Sequence, residues 1–96
     1  MLAFSLESTF VLSKDAIVRD LDGEAVVLDL DSGTYFGLNP VGTRIWQLIE
    51  RHGRLQTVLD QLCREYHAPQ EEVERDLLTL IEQLVQARLG KVQSPR

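Results

Sequence analysis

Apolar and polar residues alternate at period two over the first third of the chain and recur at helical spacing over the rest. "AIVRDL" (Ala16–Leu21) is a short apolar run closed by Asp22-Gly23, a turn dipeptide. "EAVVLDLD" (Glu24–Asp31) is rich in valine and leucine and sets Val26, Leu28 and Leu30 on one face of a strand. Ser32-Gly33 then turns the chain into "TYFGL", residues 34–38. Turns this short between β-prone runs predict an antiparallel three-strand meander. The earlier "FSLESTFVLS" reads as an irregular extended arm without an assigned role.

Asn39-Pro40 opens the helical part, because Asn caps and Pro suits a first position whose N–H has no partner anyway. Val41, Ile45, Leu48 and Ile49 follow on one face, and Gly53 ends that helix as a left-handed cap. Leu55, Val58, Leu59, Leu62, Cys63 and Tyr66 repeat the rhythm in a second helix. A third opens at Pro69, carries Glu71, Glu72 and Glu74 near the positive end of its dipole, and runs to about Arg88, before Gly90. The order β-β-β-α-α-α predicts an α+β fold: a three-stranded antiparallel sheet followed by three helices, like a winged helix-turn-helix with its hairpin placed first. Ninety-six residues suit one domain, read here as residues 16–92, with an extended arm over 1–15 and a frayed tail, "KVQSPR", whose last residues are 93–96.

Charge narrows the choice of partner. Residues 1–39 hold two basic side chains against seven acidic ones, a net −5, whereas the remainder holds eight of each. The third helical stretch, residues 69–87, carries Glu71, Glu72, Glu74, Asp76 and Glu82 against Arg75 alone. A helix that reads DNA must lie against phosphates, so this composition argues against nucleic acid. The single cysteine, Cys63, allows no internal disulfide, and a reducing, cytoplasmic location is expected. "MLAFSLESTF" has no basic segment leading an apolar run, and no stretch reaches the roughly 20 apolar residues of a membrane span, so neither a signal peptide nor a membrane is expected.

Few reactive groups converge. His52 and His67 follow different helices without ligand spacing, and Cys63 sits on an apolar helical stripe. Asp29/Asp31 flank a turn and Glu71/Glu72 begin a helix, both ordinary positions for solvated carboxylates. Trp46 and Tyr66 fit the core better than a stacking platform. No phosphate-binding glycine loop appears. The expectation is a non-enzyme with no catalytic residues, no metal and no cofactor.

The informative feature is "SGTYFGLNP". In a meander, residues 34–38 lie at a sheet edge, yet they hold no charge and no proline to blunt it. Such an edge is either a short strand covered by a loop or an acceptor for an incoming strand. The third helix carries one apolar stripe, Leu77, Leu80, Ile81 and Leu84, and a second flank with Leu78 and Val85. That surplus fits either a wide core face or a core face plus a groove wall.

"AVVLDLDSGTYFGLNPVGTRIWQLI" and "VLDQLCREYHAPQEEVERDLLTLIEQLVQARLGKV" together resemble the PqqD family, the small recognition elements of ribosomally made, modified peptide (RiPP) pathways. The resemblance spans Ala16 to Val92. It is densest in "SGTYFGLNPVGTRIW", which is most similar to the stand-alone B1 proteins of lasso peptide biosynthesis. The resemblance implies a non-catalytic adaptor that binds the leader of a precursor peptide as an extra antiparallel strand. It further implies delivery to a leader peptidase of the B2 cysteine-protease type, followed by a macrolactam-forming synthetase, or to another modifying enzyme. Carried onto this sequence, Thr34, Tyr35, Phe36, Gly37 and Leu38 supply the strand, and Val73, Asp76, Leu77, Leu80, Ile81 and Leu84 are candidates for the helix wall. Two other uses of the same elements are a winged-helix DNA-binding domain and a structural dimerisation module. The chain is accordingly expected as a monomer or as a weak homodimer through the open edge.

Overall fold

The computed structural model of the chain describes residues 5–94. A meander is formed by β2 (Ala16–Leu21), β3 (Glu24–Asp29) and β4 (Thr34–Gly37), preceded by β1 (Thr9–Leu12). Three helices follow, α1 (Pro40–His52), α2 (Leu55–Glu65) and α3 (Gln70–Gln86), and then β5 (Gly90–Gln93). The meander has the order β2-β3-β4, all antiparallel, so the α+β expectation of three strands followed by three helices holds.

Local chemistry explains each junction. Asp22 and Gly23 both have positive φ, 63° and 92°, the two-residue turn that matches the twist of a hairpin. Asn39 caps α1 by accepting from the Gly42 N–H at 2.7 Å, and Pro40 takes the first turn. Gly53, at φ 76° and ψ −46°, ends that helix at positive φ, though outside the αL conformation expected of it, and donates to the Ile49 carbonyl. The start of α2 lacks a capping side chain. Its leading N–H groups are instead taken by the N-terminal arm, Leu55 donating to the Ser8 carbonyl and Gln56 to that of Leu6.

That arm differs from its expectation. Thr9–Leu12 pairs antiparallel with Gly90–Gln93 in a separate two-stranded sheet, so the tail expected to fray is a strand as far as Gln93. Phe10 anchors it, only 2% exposed, in the same core as Leu55, Leu59, Leu77 and Leu84. Gly90 is required there because a Cβ would collide with the Phe10 ring. The close of α3 also differs. The helix ends at Gln86, Arg88 adopts φ 63°, and Leu89 turns back into the core.

The register sets the two faces of the meander. Ala25, Val27 and Asp29 are buried toward the helices. Val26, Leu28 and Leu30, the period-two stripe of the sequence, lie on the outward face with exposed Ile17 and Tyr35. Asp29 is a correction to the expectation of a solvated carboxylate. It is buried at 4% exposure, accepts from the Ser32 hydroxyl at 2.8 Å and the Asp31 N–H at 3.3 Å, and so holds the turn into β4. No helix among the described residues is long and apolar enough to cross a membrane.

Candidate functional site: the free edge of β4 and the α1/α3 groove

Among the described residues β4 pairs with β3 on one side only. Pairing is Asp29 with Thr34, Leu28 with Tyr35, Val27 with Phe36 and Val26 with Gly37. One residue beyond, the Leu38 N–H donates to the Ala25 carbonyl at 2.8 Å. In an antiparallel ladder hydrogen-bonded pairs alternate, so Thr34, Phe36 and Leu38 direct their backbone groups at β3. Tyr35 and Gly37 therefore present N–H and C=O outward, along the edge no strand occupies. Tyr35 is 70% exposed with its ring on the outward face, while half-buried Phe36 is turned to the inner face. Gly37 has nothing within 4 Å of where a Cβ would sit, so an approaching backbone meets no obstacle there.

A groove begins at Asn39, two residues past the end of β4. Asn39, Val41, Gly42 and Ile45, on the first turns of α1, face Asp76, Thr79, Leu80 and Gln83 of α3 across a depression of about 330 Å³. A second depression of about 180 Å³ continues it past Val41, Ile45 and Asp76 toward Tyr66, Glu72 and Val73. The hairpin and α1 are held in fixed relation by buried Thr43, whose Oγ1 accepts from the Ala25 N–H at 2.8 Å and lies 3.4 Å from the Leu38 carbonyl. The second helix is tied on by an ion pair. Arg44 donates from Nε and Nη2 to the two carboxylate oxygens of Glu65 at 2.8 and 2.7 Å. Those hydrogen bonds, with one from Gln61, hold the Glu65 carboxyl down to about 2, and the same pairing raises Arg44.

The expected site residues thus divide. Thr34, Tyr35, Phe36 and Gly37 form the edge strand, and Asp76 and Leu80 line the groove. Leu38, Leu77, Ile81 and Leu84 are core residues no more than 5% exposed, and Val73 is 8% exposed. Leu77, Ile81 and Leu84 fill the interior behind the wall, and Val73, though mostly buried, also lines the second depression. The groove flank is reached by stepping round α3 to Thr79 and Gln83, polar positions that no apolar period could single out. Gly42, on the α1 side of the groove, is likewise marked by no apolar period. A Cβ there would lie 3.2 Å from Asn39 Oδ1 and 3.3 Å from Leu38 Cδ2. Leu78 and Val85, the surplus flank, lie on other surfaces of α3.

His52 and His67 are both exposed, Cys63 is a half-buried free thiol, and Trp46 is 2% exposed. Among the described residues no three His, Cys, Asp or Glu side chains cluster as a metal would require.

The chain is similar in sequence and fold to known proteins. No curated protein sequence matches the chain. A solved structure described as "TbiB1 in Complex with the TbiA(beta) Leader Peptide" is 38% identical, with a TM-score of 0.80 over 84% of this chain and 94% of that one. Another, "Lasso peptide synthetase B1 complexed with the leader peptide", is 28% identical, with a TM-score of 0.77 over 86% of this chain and 98% of that one. The model of the family described as "Coenzyme PQQ synthesis protein D (PqqD)" matches residues 24–89, from the start of β3 to the end of the helical region, and by that match the chain belongs to the PqqD family.

Proposed function

We propose that this protein is a non-catalytic adaptor that binds the leader segment of a ribosomally made precursor peptide as an added antiparallel strand on β4. It then delivers the precursor to a processing enzyme, a lasso-type leader peptidase. The observation that carries the reading is the unpaired, uncharged edge of β4, with the backbone groups of Tyr35 and Gly37 directed outward beside the α1/α3 groove. Both structural neighbours are described with a leader peptide bound, which supports it.

The chemistry is that of strand addition, in which main-chain bonds give affinity and alternate side chains give specificity. A leader residue opposite Phe36 falls at a non-hydrogen-bonded position of the new ladder and turns its side chain to the inner face. Apolar leader side chains spaced by two then reach toward Val41, Ile45 and Leu80. Exposed Asp76, with Glu72 further along, favours a basic leader residue in the groove. DNA binding is not favoured, since α3 presents five acidic side chains and one basic.

The test is a titration of isotopically labelled protein with the leader half of the precursor encoded beside its gene, followed by NMR. Shifts concentrated at Thr34–Gly37 and at Asp76, Thr79, Leu80 and Gln83 are expected. A saturable interaction whose shifts avoid β4 would overturn the reading.

A further inference from the structure

The meander has a second free edge. Among the described residues β2 pairs only with β3. The Leu30 N–H donates to the Asp15 carbonyl at 2.9 Å, which fixes the phase of that ladder. Ile17, Arg19 and Leu21 therefore direct their backbone groups at β3, while Val18 and Asp20 direct theirs away from the sheet. Beneath this edge, where the inner face of the sheet meets α1, lies a cavity of about 210 Å³. Buried Ala25, Thr43 and Trp46 form its floor, and exposed Asp20, Gln47 and Glu50 form its rim.

Trp46 is the anomaly. The ring is 2% exposed and lines the cavity, yet its Nε1–H has no hydrogen-bond partner among the described residues. A buried donor left unsatisfied costs about 1–3 kcal/mol, and because the nitrogen is closed to water, an acceptor reaches it only with a shift of the cavity wall. The rim carries two carboxylates, Asp20 and Glu50, and the amide of Gln47, whose Oε1 accepts from Arg44 at 3.1 Å. One Asp20 oxygen accepts from the Gly23 N–H at 2.8 Å, leaving the other free, and Glu50 makes no ion pair among the described residues. In sequence, residues 1–39 carry the whole net charge of the molecule, −5.

From these observations we infer that the β2 edge and its cavity form a second peptide-docking site, which takes an extended basic segment of a partner protein. The segment pairs with the free backbone groups of Val18 and Asp20. It places a lysine or arginine between Asp20 and Glu50 and offers a carbonyl to Trp46 Nε1–H. A second copy of this chain is the wrong occupant, because it brings the same acidic hairpin to the same edge. The β4 edge and this one lie on opposite sides of the sheet, so both can be filled at once. Such an arrangement lets a partner hold the protein while the β4 site is occupied.

Trp46 is the only tryptophan, so the one indole N–H resonance in the spectrum reports this cavity directly. The probe is a blocked pentapeptide of alternating valine and arginine, with an alternating valine and glutamate peptide as control. The arginine peptide is expected to shift the indole resonance and the Val18 and Asp20 amides saturably. The control peptide should shift none of them. The Asp20→Asn/Glu50→Gln double variant should weaken the response about tenfold. Its Asn oxygen can still accept from Gly23, so the turn survives. An indole resonance unmoved by the arginine peptide, moved equally by the glutamate peptide, or equally responsive in the double variant overturns the proposal. Leader affinity, measured separately in the same variant, should equal that of the parent, and its loss would mean the two edges are one site.

Discussion

Proline at position 35 separates the free edge of β4 from the ladder that builds it. The Tyr35 N–H points away from β3, so Tyr35→Pro deletes no hydrogen bond of the free protein. The residue is 70% exposed, and proline is tolerated in edge strands where the N–H faces solvent. Stability should therefore change by no more than about 1 kcal/mol. The cost falls on binding, where one main-chain bond is lost and a leader carbonyl faces no donor. Together these amount to about 1–3 kcal/mol, a rise in Kd of about 5- to 150-fold. One residue along, Phe36→Pro removes a bond to Val27 and the half-buried ring, and should cost the fold about 2–3 kcal/mol. Urea unfolding gives the first quantity and calorimetric titration with the leader the second. A folded Tyr35→Pro protein that binds leader as tightly as the parent refutes strand addition on β4.

The wall and core of α3 separate by the same logic. Leu80→Ala should weaken leader binding while costing the fold about 1 kcal/mol, because the residue is half-buried at the groove, whereas fully buried Leu77→Ala should cost the fold about 2–5 kcal/mol in urea unfolding. Gly90→Ala drives a methyl into the Phe10 ring and to 2.8 Å from the Val11 carbonyl, and should lower stability by about 1–3 kcal/mol without altering leader affinity. Glu65 is held at about 2 in the folded state, so the stability from its pairing with Arg44 is complete above the ordinary carboxylate range near 4.5 and is lost as pH falls toward 2. The pair is partly solvated, with 36% and 26% of the two side chains exposed, so Glu65→Gln should cost only about 0.5–1 kcal/mol at pH 7. Thermal unfolding of parent and variant should converge near pH 2.

Much of this architecture is legible without coordinates because its junctions are chemically explicit. Asp22-Gly23, Asn39-Pro40 and Gly53 each use a residue suited to a turn, a cap or a stop, and each stands where the residue type requires. The edge strand of the candidate site is readable for a similar reason, since a run lacking charge and proline between a turn and a cap is unusual at an edge. What escapes is whatever depends on long-range pairing. β1 and β5 are four residues each and find one another across about eighty residues of chain, with Phe10 and Gly90 complementary only in three dimensions. The meander is apolar on both faces, Ala25 and Val27 inward and Val26 and Leu28 outward, so period two alone does not say which face meets the helices. On α3 the leucines identify the core, Leu77, Ile81 and Leu84, and thereby conceal the groove. The groove is lined largely by Asp76, Thr79 and Gln83, whose polarity reads as ordinary solvated surface.

Amide hydrogen exchange at β4, with and without leader, tests the central claim most directly. In the free protein the Phe36 N–H should be protected by its bond to β3, while those of Tyr35 and Gly37 exchange fast. Saturation with leader should protect Tyr35 and Gly37 selectively, in alternation, because an added strand bonds only those two. Binding that leaves both exchanging at their free rates would contradict strand addition and place the leader elsewhere on the molecule.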